Sequence, residues 1–227
     1  MEDSKIFKFS NSVLIAPFLL VFSIWIVYWI EIKFGFDFTR YGVYPHTIKG
    51  LRGILLSPFI HSGTSHLFNN SVPLAVLTAA LFFFYNKIAL RILFFGTLLT
   101  GLLTWMIARG SYHIGASGVV YLLFSFIFFS GVIRKHYRLI ALSLVVIFLY
   151  GSMIWYLFPI KEKMSWEGHS SGFIVGLFFA IVYRKIGPQK PTHIFKSTDF
   201  DLQFDEDGNY SPIIEEEQEY LSEQKIN

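Results

Sequence analysis

The chain has 227 residues, of which 53% are hydrophobic, 19% aromatic and only 15% charged. Its apolar residues come in long blocks, so we predict an integral membrane protein rather than a soluble domain. The absence of cysteine excludes disulfides, thiol nucleophiles and thiolate metal sites. The net charge of +3 conceals ten acidic residues after residue 196 and a strongly basic part before it. Because these bases are scattered over short connections, they suit anionic lipid headgroups, and we expect no nucleic acid partner.

Six apolar segments follow one another along the chain, and most are close to the roughly 20 residues that span a bilayer. We expect helices at about residues 13–32, 66–85, 88–107, 115–133, 139–158 and 169–183. No small-residue cleavage site follows the first segment, so we interpret it as an uncleaved helix rather than a signal peptide. The connection 34–58 mixes charged with aromatic residues, which is typical of a membrane–water interface.

The polar flanks of these segments divide the chain into three parts. Residues 1–11 form a short cytoplasmic N-terminal segment, residues 12–187 a six-helix membrane domain, and residues 188–227 an acidic cytoplasmic tail. The tail has few apolar residues to bury, so we expect it to be disordered.

Lysine and arginine are more frequent on one side of the predicted bundle, which is the rule for cytoplasmic connections. The other side carries seven of them, spread over longer loops with acidic neighbours. We therefore expect a multi-pass protein of the bacterial inner membrane with both termini in the cytoplasm. The residues on the cytoplasmic side are Lys5, Lys8, Lys87, Arg91, Arg134, Lys135, Arg138, Arg184, Lys185 and Lys190.

Polar residues inside the predicted spans collect at the starts of the second, fourth and sixth helices, which all begin on the non-cytoplasmic side. A polar group in a membrane is costly unless it is paired or functional, so this clustering favours a functional site. The residues are His66, Asn69, Asn70, Ser117, His169, Ser170 and Ser171.

Ser117 and His169 are the candidate nucleophile and general base. A serine hydroxyl is a weak nucleophile until a base takes its proton, and imidazole is suited to that exchange near neutral pH. Each residue alone also fits a simpler interpretation. A serine among small residues can serve close helix packing, and a histidine at a helix start is typical of an interface.

His66 and Asn70 lie four residues apart and therefore on one face of the second helix. An asparagine amide can donate to the oxyanion of a tetrahedral intermediate, although it also forms hydrogen bonds between membrane helices. Asn69 is expected on another face. His61 fits either the organisation of the chain before the second helix or an interfacial role.

Small and aromatic residues complete the candidate site. Gly172 and Gly176 follow His169 on one stripe of the sixth helix and would let that helix approach the fourth closely. Tyr121, one turn after Ser117, can pack its ring against His169.

The sequence lacks the motifs of several other enzyme classes. There is no His-Glu-x-x-His zinc motif, although His61, His66 and His169 could in principle hold a metal. The Gly-x-Ser-x-Gly motif is not met, because Val119 stands at its last position. No phosphate- or dinucleotide-binding glycine pattern appears, and we expect neither a metal nor a cofactor.

Three motifs resemble those of the rhomboid family of intramembrane serine proteases. They are Gly-Ala-Ser-Gly at residues 115–118, His-Leu-Phe-Asn-Asn at residues 66–70, and W-E-G-H-S-S-G-F-I-V-G at residues 166–176. The resemblance covers about residues 10–186. It implies an all-α membrane protein, a six-transmembrane-helix rhomboid-like bundle followed here by a polar C-terminal tail.

The same resemblance implies roles for single residues. Ser117 and His169 would form the catalytic dyad, with Gly115 flanking the serine and Tyr121 stacking on the histidine. The oxyanion donors would be the Asn70 side chain, the backbone N–H of Ser117 and also His66.

The activity implied by the resemblance is cleavage of membrane-anchored substrates near the outer end of their transmembrane segments. The expected partners are therefore transmembrane protein substrates and the lipid bilayer. We expect the fifth helix and the connection 159–168 to form the movable cover of the site. The alternative is a catalytically inactive rhomboid-like protein that binds transmembrane helices. Loss of Ser117 or His169 would mark such a protein, and both are present.

One stretch departs from the family pattern. Many members carry Trp-Arg in the loop after the first helix, whereas this chain has Leu51-Arg52-Gly53. The conformation of that loop therefore stays open at the level of sequence.

Overall fold

The computed structural model describes residues 7–160, 164–190, 198 and 200–211. Lys5, the loop residues 161–163 and most of the acidic tail, for which we expect disorder, lie outside the described residues. The chain divides into two compact units, Met1–Lys190 and Pro191–Asn227. All six predicted spans fall in the first unit.

Six long helices correspond to the six predicted segments. Five of them are long and apolar enough to cross a membrane, if the fifth is counted with its continuation to Leu157, and the sixth is shorter, with 17 residues. The described residues contain no β-strand, so the prediction of an all-α membrane protein is confirmed. The helices are α1 (Ser12–Phe34), α2 (Thr64–Phe84), α3 (Asn86–Ile107), α4 (Ser117–Arg134), α5 (Tyr137–Tyr150) and α6 (Trp166–Val182).

Local sequence explains where several helices end. Gly35 ends α1 in the left-handed conformation, with φ 66°, which glycine adopts without strain. Lys135 ends α4 in the same conformation, with φ 54°. Tyr85 alone separates α2 from α3, and its φ of −130° and ψ of 31° are not helical.

α4 is the buried helix of the bundle. Its residues from Val119 to Ile127 are all buried. In contrast, α1 and α5 expose large apolar side chains, among them Phe18, Trp29 and Phe148. Apolar faces of this extent are stable against lipid and not against water, so the chain is an integral, multi-pass membrane protein.

α6 packs directly on α4 through two glycines. A Cβ atom on Gly172 would lie 2.1 Å from the carbonyl oxygen of Gly118, and one on Gly176 would lie 2.4 Å from that of Leu122. Neither position leaves room for a side chain. The two backbones therefore approach closely, which brings the start of α4 next to the start of α6.

The fifth predicted helix is α-helical only in its first part. α5 ends at Tyr150, and the chain continues as a 3-10 helix over Gly151–Leu157. A 3-10 helix is more tightly wound, and the last carbonyl groups of any helix lack a partner in their own helix. Here the carbonyls of Met153, Tyr156 and Leu157 accept hydrogen bonds from side chains of α4 and α6.

The connection between α1 and α2 is built from short helical turns that include Ile48–Arg52 and Gly53–Leu56. The Leu51-Arg52-Gly53 stretch lies there. Arg52 donates through Nη2 to the carbonyl oxygen of Arg40 at 2.9 Å, and its guanidinium lies 4.4 Å from the ring centroid of Tyr41. A Cβ atom on Gly53 would lie 2.2 Å from the backbone of Gly42, so this turn packs against residues 42–43.

The second unit is described over a few residues only. Phe204 and Tyr210 form an isolated antiparallel bridge around a turn. The Asp205 side chain accepts the backbone N–H groups of Asp207 and Asn209 inside that turn.

Candidate active site

Ser117 is the first residue of α4. The two residues before it are held in place by hydrogen bonds from their backbone N–H groups. Gly115 has φ 108°, a conformation that side-chain-bearing residues rarely adopt. Its N–H donates to the carbonyl oxygen of Ser57 at 2.9 Å. The next N–H, of Ala116, donates to Nε2 of His61 at 3.4 Å. Two anchored residues therefore fix the direction in which Ser117 leaves the loop.

His61 forms one of these anchors from a buried position, with 2% of its surface exposed. Desolvation lowers the pKa of His61 from 6.5 to about 4, with a smaller contribution from the charge of His66. The ring is therefore neutral at pH 7. Its Nδ1 lies 3.3 Å from the carbonyl oxygen of Phe59 and carries the proton, which leaves Nε2 free to accept from Ala116.

His169 lies in the first turn of α6, which Ser165 caps by accepting the N–H of Gly168 at 3.3 Å. The structure brings together the two residues that the sequence pairs. Nε2 of His169 lies 3.0 Å from Oγ of Ser117, which is hydrogen-bond distance.

The orientation of the His169 ring is fixed on its other edge and on its face. Nδ1 lies 2.9 Å from the carbonyl oxygen of Tyr156, which can only accept, so Nδ1 carries the proton and Nε2 is the acceptor for the Ser117 hydroxyl. The ring of Tyr121 is stacked on His169 with centroids 4.3 Å apart and an interplanar angle of 13°. Tyr121 is itself held by its hydroxyl, which donates to the carbonyl oxygen of Met153 at 2.8 Å.

His66 and Asn70 face the residue that flanks Ser117. A Cβ atom on Gly115 would lie 2.7 Å from Nε2 of His66 and 3.7 Å from Nδ2 of Asn70. Asn70 Nδ2 also donates to the carbonyl oxygen of His66 at 3.0 Å, which orients the amide. Asn69 is exposed. The donors suggested for an oxyanion therefore lie around the loop that presents the Ser117 hydroxyl.

Two cavities adjoin Ser117. The larger has a volume of about 300 Å³ and is lined by residues that include Ser62, His66, Tyr112, Ser117, Met164 and His169. The smaller, of about 40 Å³, is lined by Ser57, Thr100, Thr104 and Ser165 among others, and it is large enough for a water molecule. Ser117 therefore lines both a larger cavity and a small recess with room for a water molecule.

Several contacts of this region escape sequence reasoning. The carbonyl oxygen of Tyr156 is a backbone group and has no sequence signature. Arg109 and His113 belong to no recognisable motif, whereas Ser165 stands where a helix-capping serine is expected. Glu167 is the only carboxylate in sequence near these helix starts, and nothing in its local sequence indicates its partner. Its carboxylate is oriented towards Arg109, with Oε1 lying 3.5 Å from Nε. Within the described residues, no three His, Asp or Glu side chains lie close enough to hold a metal ion.

The fold and this site define a multi-pass helical membrane protein with a serine and a histidine at hydrogen-bond distance. Residues 49–186 match the family model of the Rhomboid domain, which covers more than half of the chain. The chain therefore belongs to the rhomboid family, as the sequence motifs indicate.

Mycobacterial proteins are among its relatives. An uncharacterized protein of Mycobacterium tuberculosis and one of Mycobacterium bovis are each 31% identical over 169 residues, which is 68% of this chain and 68% of theirs. An uncharacterized protein of Mycobacterium leprae is 30% identical over 166 residues, covering 66% of this chain and 62% of its own.

Proposed function

We propose that this protein is a serine endopeptidase that hydrolyses peptide bonds in or near the transmembrane segments of other membrane proteins. The observation that carries the proposal is the 3.0 Å contact between Ser117 Oγ and His169 Nε2 beside a cavity of about 300 Å³. A hydroxyl, an oriented base and space for a carbonyl are the minimum for acyl transfer.

The first half of the reaction forms an acyl-enzyme. Ser117 attacks the scissile carbonyl carbon while Nε2 of His169 takes the hydroxyl proton. The oxyanion that results is stabilised by the N–H of Ser117 and the amide of Asn70, with His66 as a further donor. His169 then gives its proton to the leaving amine, and the amine departs with its share of the substrate.

The second half hydrolyses the acyl-enzyme. A water molecule takes the place of the amine, and His169 accepts its proton as the water attacks the ester carbonyl. Collapse of the second tetrahedral intermediate returns the proton to Ser117 and releases the new carboxylate. Polar residues of the smaller cavity, including Thr100 and Thr104, would keep water close to the ester.

The substrate reaches the dyad from the membrane or from its outer surface. We assign the role of movable cover to α5 and its 3-10 continuation, because the carbonyl oxygens of Tyr156 and Leu157 lie at the site, within hydrogen-bond distance of His169 and Ser170. With the protein in a bacterial inner membrane and both termini on the cytoplasmic side, the dyad would lie towards the outer surface of that membrane. Substrates would then be cut near the outer end of their transmembrane segments.

The competing function is a catalytically inactive rhomboid-like protein that binds transmembrane helices. The two differ in the reactivity of one hydroxyl. A fluorophosphonate probe should form a covalent adduct on Ser117 of the purified protein, and peptide mass analysis should locate it.

Matched variants make this labelling decisive. His169→Asn should abolish the adduct, whereas His46→Asn should not, because His46 lies in the α1–α2 connection with φ 58°, which asparagine tolerates. Ser130→Ala, on the same helix as Ser117, should also leave labelling unchanged. An adduct that survives in His169→Asn, or no adduct in the folded parent protein, would favour the binding protein.

A further inference from the structure

The connections that lead to Ser117 and His169 are tied together by side chains to which the mechanism gives no role. Residues 108–116 precede α4, and residues 164–168 comprise the end of the preceding connection and the first turn of α6. Four residues link the two stretches, and we call them the clasp: Arg109, His113, Ser165 and Glu167.

The first half of the clasp is an ion pair with a buried carboxylate. Glu167 is 2% exposed, and its Oε1 lies 3.5 Å from Nε of Arg109 and 3.4 Å from the backbone nitrogen of Arg109, which donates to it. Arg109 also donates through Nη2 to the carbonyl oxygen of Met164 at 2.7 Å. A buried carboxylate is costly without partners, so its position two residues before His169 calls for an explanation.

The second half of the clasp is a chain of hydrogen bonds in which the donor and acceptor of each bond can be assigned. The carbonyl oxygen of Arg109 lies 3.0 Å from Nε2 of His113 and can only accept, so that nitrogen carries the proton. Nδ1 of His113 then accepts from the Ser165 hydroxyl at 2.6 Å, and the same hydroxyl oxygen accepts the N–H of Gly168 at 3.3 Å. This chain ends at the residue next to His169.

The clasp ties the first turn of α6 to the loop before Ser117, and it acts beside the contacts that hold the His169 ring itself, namely the Tyr121 stack and the hydrogen bond to Tyr156. The tightest glycine contact between α4 and α6 lies one turn further along, at Gly172, whereas in the first turn a Cβ atom on Gly118 would lie 3.4 Å from the carbonyl oxygen of Gly168. Without the clasp, the first turn of α6 would lose its side-chain ties to residues 108–116, and His169 could shift with it. A displacement of about 1 Å in a reacting group can cost about 100-fold in rate.

We propose that Arg109 and Glu167 are positioning residues, whose ion pair, together with the His113–Ser165 bond, holds Nε2 of His169 within hydrogen-bond distance of Ser117 Oγ. The inference rests on the proposed function for its kinetic consequence and on the contacts above for its structural one. The two residues do not react with substrate. They set the distance over which the proton is transferred.

The test measures how fast a fluorophosphonate probe modifies Ser117 in Glu167→Gln, Arg109→Gln and the double variant. A positioning role predicts that the maximal rate constant for modification, kinact, falls by about 10- to 100-fold while the probe's half-saturating concentration KI stays within about twofold. Because the two residues act as a pair, the double variant should be no slower than the slower single variant.

Glu31→Gln and Arg52→Gln are matched controls. Glu31 also accepts a backbone N–H, from Phe38 at 2.8 Å, and also has a buried second carboxylate oxygen. Arg52 also donates to a backbone carbonyl. Neither touches the residues around the dyad, so both controls should keep kinact within about twofold of the parent.

A second readout does not depend on catalysis. The chain has no cysteine, so Gly110→Cys with Ile174→Cys, an exposed position on α6, allows two spin labels to report the distance between the connection before Ser117 and α6. The distance distribution should broaden in Glu167→Gln and Arg109→Gln and stay as narrow as in the parent in both controls.

Several outcomes would overturn the inference. Unchanged kinact in both clasp variants, multiplicative losses in the double variant, or a fall in kinact with an unchanged distance distribution would each do so. A parent protein that is not labelled at Ser117 would refute the proposed function instead. The distance distribution alone would then decide whether the clasp holds the two connections together.

Discussion

Nδ1 of His169 lies 2.9 Å from the carbonyl oxygen of Tyr156, the position that a carboxylate occupies in a serine–histidine–aspartate triad. A carbonyl fixes the tautomer and direction of the ring as a carboxylate does, but it carries no charge to stabilise the imidazolium. The aromatic face of Tyr121 and the buried position of the ring supply the remaining constraint. Because Tyr156 belongs to the continuation of α5, the orientation of the base depends on the position of that segment.

Tyr121→Ala should reduce activity far more than Tyr121→Phe. The phenylalanine ring keeps the stack on His169 and loses only the hydrogen bond to Met153, a loss of about 1 kcal/mol in stability. Alanine removes a buried ring and leaves a cavity, which costs about 3–5 kcal/mol. Steady-state kinetics and thermal unfolding of both variants in detergent check the difference. Equal kcat values for the two variants would show that the stack does not orient the base.

Asn70→Ala should lower kcat by about 100- to 1000-fold with little change in KM, since the proposed mechanism assigns its amide as a donor to the oxyanion. Asn69→Ala is the matched control, because Asn69 is the neighbouring asparagine and is exposed. Cleavage rates over a range of substrate concentrations separate the two parameters. A rise in KM at constant kcat would assign Asn70 to substrate binding instead.

Gly172→Ala should separate the helices that carry Ser117 and His169. Its Cβ atom would lie 2.1 Å from the carbonyl oxygen of Gly118, a backbone atom that cannot move without α4. We expect loss of at least about 100-fold in fluorophosphonate labelling rate, because a backbone shift of about 1 Å reaches both reacting residues. Gly110→Ala, whose Cβ would meet nothing closer than 3.7 Å, should behave as the parent. Labelling of Gly172→Ala at the parent rate would contradict the packing described for α4 and α6.

Protonation of His61 should destabilise the folded protein as the pH falls. Burial lowers the pKa of His61 from 6.5 to about 4, so between these values the unfolded chain binds more protons there than the folded protein. Its contribution is complete above about pH 6.5 and is lost towards pH 4, with a maximum of about 3 kcal/mol. Thermal midpoints of the parent and His61→Gln across this range isolate the effect from the other histidines. The stability advantage of the parent should shrink as the solution is acidified, and a constant advantage would argue against a neutral, buried His61.

The sequence predicts much of this architecture because each membrane helix corresponds to a long apolar segment. The starts of α2, α4 and α6 follow from the polar residues placed there, and the close approach of α6 follows from Gly172 and Gly176. The 3-10 form of Gly151–Leu157 could not be predicted, because its apolar composition is the same as that of an α-helix.

The contacts that orient the dyad are harder to predict for a physical reason. The partner of His169 Nδ1 is a backbone carbonyl, a group that every residue has. Only the tertiary fold determines that it is the carbonyl of Tyr156. Glu167 and Arg109 are 58 residues apart in sequence, so their pairing depends on how two connections meet and not on any local pattern. His113 is engaged through backbone as well as side chain, since its N–H and carbonyl both pair with Val43.

The measurement that tests the central claim most directly is the cleavage of a transmembrane reporter by the purified protein in liposomes, with Ser117→Ala and Ser130→Ala prepared in parallel. We predict cleavage near the outer end of the reporter's transmembrane segment by the parent and by Ser130→Ala, and none by Ser117→Ala. Cleavage that persists in Ser117→Ala, with the same products and rate, would contradict the assignment of Ser117 as the nucleophile.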